Sequence, residues 1–162
     1  MYNLHSILIQ LKKEDTPLHG VMVRCVRCFY QWLDPTLWEG SALFELWAQE
    51  LELIYGDLRQ RLSPNAKTDA GSLGDRFGFD TPPELPRLLQ SIQTFYSVLI
   101  KFIAWNTLRG ATPEPPLTEL LSGKAFANRG IRNFCEDDWY IWPLDIWDPA
   151  LETQCEELRA CL

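Results

Sequence analysis

The strongest constraint in this chain is one long stretch, Glu84 to Arg109, in which apolar residues recur every three or four positions. Leu85, Leu88, Leu89, Ile92, Tyr96, Leu99 and Ile103 fall on one face of a helix, and Phe95 and Phe102 widen it. Gly110 is placed to end that helix in a left-handed cap, and Pro113-Glu-Pro-Pro116 cannot continue it because proline has no amide hydrogen. A helix this long and this apolar must be covered by other elements, which casts it as the central helix of an all-α fold.

The rest of the sequence supplies the covering helices. Asn3 to Lys13 puts Leu4, Ile7 and Leu11 on one face. Thr16-Pro17 opens a second helix with Val21, Cys25, Cys28 or Phe29, and Trp32 at helical spacing, and it stops at Asp34-Pro35, where the residue before proline disfavours the α region. Ser41, with Glu45 nearby, opens a third helix whose face is Phe44, Trp47, Leu51, Ile54 or Tyr55, Leu58 and Leu62. Residues 63–83 are rich in Pro, Asn, Gly, Asp, Ser and Thr and read as a surface loop with one short turn at Leu73 to Phe77. After the Pro-rich connector 110–116 comes a short helix, Leu117 to Ser122, and a turn around Gly123. A terminal helix from about Pro149 carries Leu151, Cys155, Leu158 and Leu162; its apolar pattern runs to the last residue, so the segment is expected to continue further or to pack against something else. The expectation is an irregular bundle of about five main helices, forming a single helical domain over residues 1–162.

Composition narrows the function classes. Apolar residues are 46% and charged residues 23% of the 162, so the chain can bury a core. The net charge of −7 repels polyanions, which argues against a general nucleic-acid binder; Lys12-Lys13, Arg24 with Arg27, and Arg59 with Arg61 read as solvated faces. Five cysteines and no signal-peptide pattern point to reduced thiols in the cytoplasm. The most apolar run, Phe95 to Trp105, is about eleven residues and contains Lys101, too short for a hydrocarbon layer of roughly 30 Å, so no membrane partner is expected.

No constellation reads as a catalytic, cofactor or metal site. Cys25-Val-Arg-Cys28 has redox or zinc spacing, but no strand precedes it and no second pair of ligands follows; Cys135, Cys155 and Cys161 are scattered, and His5 and His19 lack ligand spacing. Glu136, Asp137 and Asp138 are the densest carboxylates and read as a solvated turn or helix cap rather than a cation site. The motif patterns of hydrolases, dinucleotide sites and nucleotide-binding loops do not occur. Trp139, Tyr140, Trp142 and Trp147 form an aromatic group without interleaved Lys or Arg. It is expected to serve core packing or, as the candidate binding site, to anchor a protein partner.

Three stretches add a resemblance. They are W-A-Q-E-L-E-L-I-Y-G-D-L from Trp47 to Leu58, T-F-Y-S-V-L-I-K-F-I-A-W-N-T-L from Thr94 to Leu108, and Leu120 to Leu162, beginning L-L-S-G-K-A-F-A-N-R-G-I-R-N-F-C-E-D-D-W-Y-I-W-P-L. Together they resemble the helical region that precedes the catalytic core in large bacterial restriction-modification proteins that methylate adenine in DNA, especially those fusing nuclease and methyltransferase. In that family the S-adenosylmethionine pocket and the Asn-Pro-Pro-Tyr or Asp-Pro-Pro-Tyr motif lie downstream, and no residue here matches them; Asp148-Pro149 reads as a helix start. The resemblance implies a non-catalytic helical scaffold: a subunit, domain fragment or truncated product that supports a catalytic partner or missing domain and meets DNA only indirectly. The alternative reading is a stand-alone protein-protein interaction domain.

Overall fold

Helices are the only regular structure among the described residues of the computed structural model, which are 4–34, 44–50, 66–134 and 140–162. They are α1 (Leu4–Lys12), α2 (Pro17–Trp32), α3 (residues 44–50), α4 (Ala66–Arg76), α5 (Leu85–Leu108), α6 (Leu117–Leu121), α7 (Lys124–Ala127) and α8 (Pro149–Ala160), with a 3-10 turn at Trp142–Leu144 before α8. The fold is all-α, as the periodicity requires, and α5 is its long central helix. No helix among the described residues is long and apolar enough to cross a membrane.

Local chemistry sets the helix ends. Thr16 caps α2: its hydroxyl accepts the His19 amide at 3.2 Å and donates to the carbonyl of Gln10, while Pro17 supplies a preset first turn. Asp148 does the same for α8, its carboxylate accepting the Ala150 and Leu151 amides at 2.7 and 2.8 Å. At the far end of α5, Gly110 adopts the left-handed conformation expected of it, at φ 56°. Arg129 then donates to the carbonyls of Leu108 and Arg109 and lies 4.9 Å from the centre of the Trp105 ring, so a cation faces the negative end of the helix dipole. The 110–116 connector is tied down by Glu114, which pairs with both Arg109 and Arg159.

The core forms where α2, α5 and α8 meet. α2 contributes Leu18, Val21, Cys25, Val26 and Phe29, all nearly inaccessible to water. α8 contributes Leu151, Cys155 and Leu158 at 0 to 1% exposure, and even Leu162 is buried. The apolar face of the terminal helix, up to Leu162, therefore packs within this chain. Ile7 and Leu11 of α1 and Leu117, Leu120 and Leu121 of α6 close the same apolar cluster.

Two expectations are corrected. The buried side of α5 is rotated from the predicted face: Tyr96 is 42% exposed, whereas Gln90, Ser91, Thr94 and Lys101 are 0 to 3% exposed. Three of these polar side chains have their hydrogen bonds met inside, whereas the buried Gln90 Oε1 has no partner among the described residues. Ser91 and Thr94 donate back to the carbonyls of Arg87 and Gln90, both at 2.8 Å, and Lys101 donates to the Leu121 carbonyl at 2.6 Å. The second correction falls in the 63–83 surface loop, where α4 takes up Ala66–Arg76. Gly74, within the turn expected at Leu73 to Phe77, is a close-packing position: a Cβ there would lie 2.5 Å from Pro83 Cδ. Gly78, at φ 68°, then ends α4 with the Phe79 amide on the Gly74 carbonyl and its own amide on Asp75, the pattern of a Schellman cap. Of the third helix, 44–50 is described and Trp47 is 4% exposed; Leu51 to Leu62 lie outside the described residues.

The two glycines of α4 separate propensity from packing. Gly71→Ala, which places its Cβ in open space, is expected to stabilise by about 0.5–1 kcal/mol, and Gly74→Ala to cost about 1–3 kcal/mol through its clash with Pro83. Urea denaturation midpoints of the two variants would show opposite shifts. Equal shifts would mean that the Pro83 segment does not pack on α4.

Candidate functional site

Of the aromatic group that the sequence singles out, Tyr140, Trp142 and Trp147 are described, and each is at least half-buried. Trp142 is wholly buried and meets Phe29 of α2 edge to face, with ring centres 5.8 Å apart. Its indole N–H donates to the Thr94 hydroxyl of α5 at 2.9 Å. Burying a side chain of this size is worth roughly 4–6 kcal/mol, from about 150–250 Å² at about 25 cal/mol per Å², whereas an unmet indole N–H would return only about 1–3 kcal/mol of that. Apolar burial thus sets the position, and the hydrogen bond selects the orientation. Trp142 is a core residue, which corrects its nomination as a partner contact.

Tyr140 and Trp47 converge one residue earlier on α5. The Tyr140 hydroxyl donates to Gln93 Oε1 at 2.6 Å and the Trp47 indole donates to the same oxygen at 3.3 Å, so one side-chain carbonyl joins α3, α5 and the segment before the 3-10 turn. Phe44 stacks on Trp47 at 5.9 Å. Trp147 is half-buried against the core, and Ile141 is 37% exposed beside Tyr140. Trp139 lies outside the described residues, as do Cys135 and the carboxylates Glu136, Asp137 and Asp138.

The cysteines form a second grouping. Cys25 and Cys28 lie on α2 and Cys155 on α8, and the Cys25 thiol donates to the Gln154 carbonyl at 3.5 Å. Burial, followed by neighbouring negative groups, pushes the Cys155 thiol up to about 12 and the Cys28 thiol up to about 11; Cys25 is raised well above its ordinary value for the same leading reason. At neutral pH these are uncharged, apolar-behaving side chains rather than nucleophiles. Among the described residues no group of three or more His, Cys, Asp or Glu side chains is arranged to hold a metal ion.

A cavity of about 240 Å³ lies between α1, α2, α4 and α5. Leu8, Leu11, Met22, Phe77 and Ile92 give it apolar walls, and Lys12, His19, Arg76 and Tyr96 give it polar ones. His19 is 8% exposed, and its Nδ1 lies 2.9 Å from the Leu11 carbonyl. The carbonyl only accepts, so Nδ1 carries the proton. Sequence reasoning missed both this cavity and the Gln93–Thr94 pair. Lys12 and His19 have no motif spacing, Arg76 falls in a segment read as loop, and Gln93 and Thr94 carry no apolar signal. Comparison with family models, with curated proteins and with solved structures finds no match.

The Trp142–Thr94 pair yields a direct test. Thr94→Val keeps the shape and removes the acceptor, and is expected to cost about 1–3 kcal/mol by urea denaturation. Thr94→Ser, which keeps the hydroxyl, should lose less. If Val were tolerated as well as Ser, the hydrogen bond would not be what orients the tryptophan.

Proposed function

We propose that this chain is a non-catalytic helical scaffold that supports a catalytic partner, the role implied by its resemblance to the helical region preceding the catalytic core of adenine-specific DNA methyltransferases. One observation carries the reading. The three stretches of the resemblance come together at a single junction on α5: Trp47 from the first and Tyr140 from the third share Gln93, while Thr94, which opens the second, holds Trp142 of the third. The side chains that make the pattern specific are thus spent on joining helices, as befits an architectural element. In this reading the chain works in the cytoplasm, its partner supplies S-adenosylmethionine chemistry, and DNA is met through that partner.

A second reading, a stand-alone protein-protein interaction domain, is favoured by the exposure of Ile141 in the segment that also carries the half-buried Trp147. The two are separated by affinity capture from the source cells followed by a methyl-transfer assay with labelled S-adenosylmethionine and DNA. The scaffold reading expects co-capture of an adenine methyltransferase, with no label transferred and no S-adenosylmethionine bound by the isolated chain. Methyl transfer or S-adenosylmethionine binding by the chain alone would overturn it. Capture of a partner without methyltransferase activity, lost in Ile141→Asp, would favour the second reading.

A further inference from the structure

We propose that the cavity between α1, α2, α4 and α5 binds a small aliphatic monocarboxylate, tail inward and carboxylate between Lys12 and Arg76. The walls set the class of the tail. Leu11 is 6% exposed, Met22 8% and Phe77 8%, so the inner wall is apolar core surface. A volume of about 240 Å³ equals the liquid share of roughly eight waters, which suits an acid of about six to ten carbons and is too small for a long acyl chain. Leu8 and Tyr96 of the lining are 45% and 42% exposed, so the cavity reaches the surface.

The polar atoms set the class of the head group. In a chain of net charge −7, this lining contains two cations and no Asp or Glu among the described residues. Lys12 ends α1 and Arg76 ends α4, where each offsets a helix dipole, yet neither makes an ion pair or a hydrogen bond among the described residues. Both are therefore available to an anion, Arg76 with a fork that fits a carboxylate. His19 is a buried part of the lining: its Nδ1 proton is committed to Leu11, which leaves Nε2 as the polar atom of the ring. Without a proton Nε2 can only accept, so the carboxylate is held by Lys12 and Arg76 and not by the ring. Apolar walls with a few convergent polar groups are the general character of small-ligand sites, and inorganic phosphate, with no apolar part, would leave those walls unmatched.

The test is isothermal titration calorimetry of the full chain with octanoate, 1-octanol and octylammonium. Saturable octanoate binding at least about tenfold tighter than that of octanol, with no octylammonium binding, is the expected result. Lys12→Gln with Arg76→Gln, both surface changes, should weaken octanoate at least about tenfold and leave octanol unchanged, and Ile92→Trp should abolish both. Absence of saturable octanoate binding to the unaltered chain would overturn the proposal, as would equal binding of octanoate and octanol or an unchanged octanoate affinity in the double variant. None of these outcomes depends on a methyltransferase partner.

Discussion

The structure depends on burying a helix whose inner side is partly polar. On α5, Ser91, Thr94 and Lys101 sit among Phe95, Val98, Phe102 and Trp105, all at 4% exposure or less. Leaving any of these polar groups unmet would cost about 1–3 kcal/mol, a large part of the net stability of a small domain. Two of them discharge their hydrogen bonds within the helix or to α6, and Thr94 does so across the fold to Trp142. The small side chains at 91 and 94 also leave room at the crossing, so Phe29 of α2 and Trp142 meet edge to face beside them. At the Thr94–Trp142 crossing the hydrogen bond sets orientation, and bulk stability comes from apolar burial.

That arrangement explains what was legible in the sequence and what was not. Helix existence follows from apolar spacing together with caps, so α1, α2, α5, α6 and α8 stand close to where Thr16-Pro17, Gly110, Pro116 and Asp148-Pro149 place their ends. Helix orientation was only partly legible. A count of apolar residues puts Tyr96 inside, and it cannot anticipate that Thr94 and Lys101 become the better-buried residues once partners 48 and 20 positions away satisfy them. α4 was hidden for a related reason: Gly74 marks contact with Pro83, and a glycine that permits close approach looks the same in sequence as one that breaks a helix.

The candidate sites follow the same logic. Aromatic richness in the stretch from Tyr140 to Trp147 was legible, but the direction each ring faces depends on Gln93 and Thr94, which no pattern of spacing marks. The cavity is assembled from four helices and owes its charge to Lys12, read from sequence as part of a solvated face, and Arg76, 64 positions away in a segment read as loop. Along α5 the cavity-lining Ile92 and Tyr96 bracket Gln93 and Thr94, so one stretch of helix both joins α3 and the 3-10 turn and forms part of the cation-edged pocket.

The most direct test of this account is the exchange rate of the Trp142 indole proton, read by nitrogen-15 NMR on the labelled full chain. If Thr94 holds that proton inside the core, it should exchange only through global unfolding, with an exchange free energy equal to the stability measured by denaturant. Exchange at the rate of a free indole would contradict the account, because the interaction that orients the core would then be open to water in the native state.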